Sequence, residues 1–372
     1  MNVHTRIRKA LEHEEPDRVP TLAQYFEPVF RKKIRKNFNM IERLKYIFEK
    51  HWQVRTAKLM GFDSVWYHYG RHNIPSRDRP ELPEEIKKKY KIKKVNNWGH
   101  YSEYDLKSKM SWYVDGALKT PEFLREWISW LNTWEPADEK HFIRFRKIWD
   151  ESIRKGVVPI PTGGTVSYGT WSSIGINRFA YMVRKHLNLV KQLAKALGKI
   201  TMDYQTCMFE HGIDMAFVCD DWAMKDRLIF HPKQWDEIIG PVFKMIADNA
   251  HKHDAKFLVH TDGNITDCVP YIVKSGADAI EPLEYESGAR LKPLKEEFGD
   301  KITLIGNVPA TFSLTFGSVE ETIKMTKECI DIAAAGGGYI LGAGSDILGT
   351  CKIENVKAMT ETAKNYGRYK KT

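Results

Sequence analysis

Short apolar or aromatic runs recur along the chain at 19–25, 63–70, 157–161, 215–219, 257–259, 279–280, 302–305 and 339–341. Runs without alternation are the pattern of strands buried on both faces of a parallel sheet. Helical spacing fills most of the intervals. A first helix over 2–15 is broken by Pro16, and a Lys- and Arg-rich one over 40–60 stops at Gly61. Thr120 followed by Pro121 is a cap with proline at the first helical position, opening two helices that run to about 155. A long helix places Phe179, Met182, Val183, Val190, Leu193 and Leu197 on one face. Pro232 opens the next, which Pro241 kinks, and further helices are predicted over 264–275, 289–298, 319–335 and 353–366. Eight strands alternating with helices is the count of a (β/α)8 TIM barrel with an N-terminal helical segment, read here as one domain over 1–372.

Residues 71–120 break this rhythm. A polar, proline-rich stretch leads into VNNWGHYSEYDL and KMSWYVDG, which alternate as an antiparallel hairpin does. This insertion is expected near the barrel mouth as a lid or substrate wall carrying Trp98, Tyr101, Trp112 and Tyr113. The alternative is that these aromatics only pack the insertion against the barrel.

Composition narrows the setting. With 42% hydrophobic residues the chain has material for a large core, and no apolar run nears the ~20 residues of a membrane span. NVHTRIRKALEHEEPDRVP lacks the apolar stretch of a signal peptide, and five dispersed cysteines without a CxxC pair fit a reducing compartment, so a cytoplasmic protein is expected. The net charge of +10 raises nucleic acid as a partner, but its densest cluster, KKKYKIKK at 87–94, follows the acidic ELPEE and no nucleic-acid motif accompanies it. Neither nucleic acid nor membrane is expected; an acidic protein or a carboxylated substrate suits the charge better.

Residues at the C-terminal ends of barrel strands converge on one mouth. That rule gathers Asp220, Asp221, His260, Asp262, Glu281, Glu284, Asn307, Ser345 and Asp346. Carboxylates crowded in a dry cavity raise one another's pKa, making a general acid near neutral pH, or recruit a metal. Plainer roles exist for each: Asp220 or Asp221 as a turn cap, Glu284 paired with Arg290 or Arg227, His260 bonded to a carbonyl in the core. The glycines of 336–344 precede a strand and do not open a helix after GxGxxG, so they make a weak nucleotide signal.

RIRKALEHEEPDRVP at 6–20, DDWA at 220–223, HTDGN at 260–264, PLE at 282–284, IGN at 305–307, and AGGGYILGAGSDI with IENVKAM near the end resemble the uroporphyrinogen decarboxylase superfamily, over nearly the whole chain except 71–120. The resemblance implies a (β/α)8 barrel and one of two activities: decarboxylation of a porphyrinogen, or methyl transfer to or from the cobalt of a corrinoid. Three departures choose between them. True decarboxylases carry RQAGR after the first strand and a catalytic aspartate at the second strand exit, where this chain reads LAQYFEP and WYHYG. The thiol-directed methyltransferases of the superfamily hold zinc with His-x-Cys and a later Cys; here Asp262 and Ser345 stand in the two sulfur places, and Cys351 is out of register. Zinc activation of a thiol wants soft ligands.

What remains by resemblance is a corrinoid-dependent methyltransferase that moves a methyl group from a small methylated substrate, favouring a methoxylated aromatic, to a corrinoid carried on a partner protein, since no DxHxxG motif is present. The leaving oxygen then needs a proton or a Lewis acid, from His260, Asp262, Glu281 and Glu284. Tyr67, Tyr69, Trp98, Trp112 and Trp222 would suit a flat ring, with Asp221, Asn264, Asn307 and Ser345 completing the substrate site. Whether a metal such as zinc is bound stays open; His260 with Glu281, Glu284 or Asp262 would hold it. Alternatives are methyl transfer between methyl-corrinoid and tetrahydrofolate, or a lyase or glycosidase using Asp221 with Glu281 or Glu284 as paired carboxylates. A homodimer is compatible with these readings.

Overall fold

The computed structural model describes residues 1–36, 39–40, 51–68, 78–92, 94–106, 110–136 and 138–370. Its strands in chain order are β1 (Thr21–Ala23), β2 (Ser64–Tyr67), β3 (His100–Asp105), β4 (Met110–Gly116), β5 (Val158–Pro161), β6 (Met215–Cys219), β7 (Lys256–His260), β8 (Ala279–Glu281), β9 (Thr303–Val308) and β10 (Tyr339–Ala343). Eight of them, among the described residues, form one sheet in the order β5-β2-β1-β10-β9-β8-β7-β6, and every neighbouring pair is parallel. A parallel bridge between Thr162 and Phe217, with Gly163 N–H donating to the Phe217 carbonyl at 3.1 Å, joins the two outer strands. The fold is therefore a nearly closed (β/α)8 barrel, as the eight apolar runs imply.

The helices follow the predicted caps. Thr120 Oγ1 accepts from Phe123 N–H at 3.3 Å to open Pro121–Leu131, and the long helix Ile176–Glu210 buries all six residues of its predicted apolar face. Pro232–Ile238 and Gly240–Lys252 are separate helices around the expected break at Pro241. At the end of the barrel away from the mouth, the buried Asp63 accepts from Arg6, from both terminal nitrogens of Arg18 and from Thr21 N–H, tying the N-terminal segment to the foot of β2. Among the described residues no helix is long and apolar enough to cross a membrane.

The predicted hairpin is present as antiparallel β3 and β4. It stands on the helix Ser167–Ile174, which follows β5. His100 and Tyr113 meet the Tyr168 ring at 5.4 and 6.4 Å, and Tyr113 lies 5.3 Å from Trp171. His100 also bonds through Nδ1 to Ser172 Oγ at 3.2 Å and through Nε2 to Asn96 Nδ2 at 2.8 Å, which makes Nε2 the acceptor and the ring neutral. Burial pushes its pKa down to about 4. The unfolded chain, with an ordinary histidine near 6.5, takes up this proton first as pH falls. Stability should therefore drop between about pH 6.5 and pH 4 by up to about 3 kcal/mol. Urea titrations across that window should show the loss, and His100→Leu should flatten it; an equal slope in the variant would assign the acid sensitivity elsewhere.

Candidate functional site

The register pairs Cys219 with His260 and His260 with Glu281, so the last residues of β6, β7 and β8 all face the barrel interior. Glu281, 1% exposed, accepts from His260 Nδ1 at 2.6 Å. That bond fixes the ring and turns Nε2 outward, to 3.5 Å from Asp221 Oδ1 and 3.9 Å from Asp262 Oδ1. The carboxylates of Asp221 and Asp262 are 42% and 48% exposed, so the buried histidine reaches solvent through them. On its other side the Trp66 ring stands edge to face, with centroids 4.4 Å apart.

Backbone contacts hold this arrangement. Asp262 N–H donates to Asp221 Oδ1 at 3.0 Å, and Gly263 N–H to Glu284 Oε2 at 3.0 Å. Gly263 has φ of 88°, and a Cβ there would lie 2.6 Å from the Met224 carbonyl oxygen, so only glycine lets the HTDGN turn close against the DDWA loop. Asp220 points away from the mouth. It accepts from Val166, Ser167 and Tyr168 N–H and from Thr165 Oγ1, capping the helix that supports the hairpin.

The charges are linked. Burial opposes ionisation of His260, but Glu281, Asp262 and Asp221 outweigh it and hold the pKa well above 6.5. Burial likewise works against Asp221, yet His260 keeps it below its ordinary value. The buried Oδ1 side of the half-exposed Asp262 carboxyl pushes it up to about 7, with His260 pulling down and Asp221 pushing up, while the half-buried Asp346, close enough to feel the Asp262 charge, rises to about 8. The mouth thus combines a cationic imidazole, an ionised aspartate and two carboxyls able to give up a proton near neutral pH.

A divalent ion also fits. His260 Nε2 and one oxygen each from Asp221 and Asp262 lie within 4.8 Å of one another. Asp262 Oδ1 is buried with no hydrogen-bond partner, and Glu281 holds Nδ1 as outer carboxylates do for metal-bound imidazoles. The donors are nitrogen and oxygen, without sulfur. Cys351 Sγ instead sits against Thr315 Oγ1 and the Ala310 carbonyl.

Several predicted site residues lie elsewhere. Tyr67 faces the helix layer, stacked on Phe145 at 5.7 Å and bonded to His51 Nδ1 at 2.5 Å. Trp222 is 0% exposed, packed on Trp235 and Phe243. Trp112 is 57% exposed, and half-buried Trp98 packs the insertion against the core; the hairpin's Tyr113 instead meets Tyr168 of the supporting helix, the ring that feels the charge of Asp221. Asn307 donates through its amide nitrogen to the carbonyls of Leu283 and Ala289, and Asn264 Oδ1 accepts from Thr266, so both brace loops at the mouth. Glu284 braces Gly263 and pairs with neither predicted arginine; Arg290 donates to the Tyr285 carbonyl and lies over its ring. Ser345 is half-buried, one residue before Asp346. Tyr69 is outside the described residues. Of the carboxylates proposed to pair with Asp221, Glu281 is held by His260 and Glu284 by the Gly263 amide.

The mouth has residues that were not singled out. Trp66 and His68 alternate with Tyr67 and so face inward; His68 Nδ1 bonds to Thr162 Oγ1 at 2.7 Å, and the ring is 5.9 Å from Tyr25. Tyr168, whose hydroxyl burial and then the charge of Asp221 push up to about 12, completes the rim. One signal was available: the parity of the second strand, had one inward residue been known.

An α/β barrel with a histidine and carboxylates gathered at its mouth is the class of protein these residues define. The chain belongs to the uroporphyrinogen decarboxylase family, whose model matches residues 165–366. It is 21% identical over 193 residues to the methylcobamide:CoM methyltransferase MtaA of Methanosarcina barkeri, a stretch covering 52% of this chain and 54% of that protein. The chain thus matches about half the length of that curated relative. A solved methyltransferase from Methanosarcina mazei superposes with a TM-score of 0.68 at 18% identity, over 98% of this chain and 99% of the other.

Proposed function

We propose that this protein moves a methyl group from a small methylated compound, in the favoured case a methoxylated aromatic, to the cobalt of a corrinoid held by a partner protein. The observation that carries the reading is the imidazole of His260, locked by Glu281 and opening onto Asp221 and Asp262 without a thiolate. The relative's name, a methylcobamide-dependent methyltransferase, supports the corrinoid link. The overall change is Ar–O–CH3 plus Co(I) plus a proton giving Ar–OH plus CH3–Co(III). The C–O bond breaks with its electrons going to oxygen, and cobalt supplies the pair for the new bond. Asp262, with a pKa of about 7, is placed to protonate the departing oxygen, and the His260 cation to stabilise its charge. A divalent metal, when bound by His260 Nε2, Asp221 and Asp262, would supply Lewis-acid assistance to that oxygen. The hairpin walls one side of the mouth through Tyr113, which packs on Tyr168 of the helix beneath it.

Cob(I)alamin provides the test. Mixed with the protein and a methoxyarene, it should show the methyl–Co(III) spectrum, and with methyltetrahydrofolate it should not. Reaction with the pterin alone would replace the donor proposed here, and reaction with neither would reject methyl transfer to cobalt.

A further inference from the structure

One imidazole at the mouth stands outside the His260 cluster. His68 follows β2, two residues after Trp66, and so shares its inner face. The Trp66 ring stands edge to face against both histidines, with centroids 4.4 Å from His260 and 6.2 Å from His68, and so bridges them. Thr162, at the end of β5, holds His68 from another side. Its N–H donates to the Tyr67 carbonyl at 3.2 Å, and its Oγ1 meets His68 Nδ1 at 2.7 Å. The Tyr25 ring lies 5.9 Å away. With Nδ1 engaged, Nε2 has no partner among the described residues. His68 is exposed where His260 is 3% exposed, so the open part of the mouth lies over His68 and over the half-exposed carboxylates of Asp221 and Asp262.

Burial and then the charge of His260 lower the His68 pKa, so a neutral imidazole shares the mouth with a cationic one. A neutral ring offers one donor and one acceptor. The Thr162 hydroxyl can also give or take a hydrogen bond, so it serves Nδ1 in either tautomer and leaves Nε2 able to accept or to donate. We infer that His68 is a substrate-binding residue whose Nε2 holds a hydroxyl carried by the methyl donor across the ring from its methoxy group. The inference rests on the methyl-transfer reading, which puts the methoxy oxygen at Asp262 and His260, and goes beyond it in naming the second anchor. A hydroxyl ortho to the methoxy group stays on the Asp262 side of Trp66. One at the meta or para position reaches past the Trp66 edge toward His68.

Calorimetric binding of 4-methoxyphenol, 2-methoxyphenol and methoxybenzene, without corrinoid, tests this. The wild-type protein should bind 4-methoxyphenol about 3- to 10-fold more tightly than either of the others, the yield of one hydrogen bond made in place of water. His68→Phe keeps a flat ring and should erase that preference, while His68→Gln, which can still donate or accept, should keep part of it. Diethyl pyrocarbonate gives a readout that needs no variant, because it acylates neutral, accessible imidazoles. Peptide mass spectrometry should find His68 modified and His260 spared, and 4-methoxyphenol should protect His68 but not the exposed His253 that precedes β7. No preference in the wild type, tighter binding of the 2-isomer, an unchanged preference in His68→Phe, or no protection of His68 would each overturn the assignment. Since no cobalt is present, such a failure leaves methyl transfer standing; that reading falls on the cobalt spectrum alone.

Discussion

His260→Ala will leave the barrel folded and slow methyl transfer by about 10²- to 10⁴-fold, the range for loss of a positioned acid–base group. The ring links Glu281 to Asp221 and Asp262, so its removal cuts Glu281 off from the two aspartates, which stay joined through the Asp262 N–H. Stability should suffer less. Burial already raises the Glu281 pKa, and without the imidazole that carboxyl will take up a proton, at a cost of about 1–3 kcal/mol for the lost bond. His260→Gln separates orientation from chemistry, because an amide can still donate to Glu281 but cannot carry charge. It should recover thermal stability and not turnover. If a metal serves the reaction, metal content measured on the purified protein will fall with His260→Ala. Near wild-type turnover in either variant would remove His260 from the mechanism.

The largest effect on stability is expected far from that cluster. Asp63, with 3% of its side chain exposed, receives Arg6 at 3.0 Å and Arg18 at 2.7 Å through both terminal nitrogens. Asp63→Ala takes the counter-ion from the largely buried Arg18 and leaves Arg6 with its second partner, Asp17, alone. Breaking one member of a buried charge network costs about 3–5 kcal/mol. The bond from Thr21 N–H is lost as well, loosening β1 against β2 at the foot of the barrel. Denaturant unfolding should show this decrease, with ligand affinity at the mouth unchanged under conditions where the variant is folded. A loss below about 1 kcal/mol would mean that the arginines find other partners or reach water.

Much of the architecture follows from local chemistry. The eight apolar runs became the eight barrel strands, the hairpin formed where alternation replaced continuous hydrophobicity, and Thr120 with Pro121 opened its helix, because burial and capping act over a few residues. HTDGN at the end of a strand placed His260 and Asp262 at the mouth for the same reason. Only the tertiary structure decided which way each side chain turned. A strand buried on both faces carries no alternation, so 63–70 could not say that Trp66 and His68 face the cavity while Tyr67 packs on Phe145; barrel closure and register decide that. The division of labour among the acids was hidden likewise. Glu281 as the histidine's clamp, Asp220 as the cap of a helix more than fifty residues earlier and Asn307 as a loop brace depend on hydrogen bonds between segments distant in sequence. Hydrophobic pattern is a property of neighbours along the chain, whereas the partner of a buried polar group is chosen by whatever the fold brings beside it.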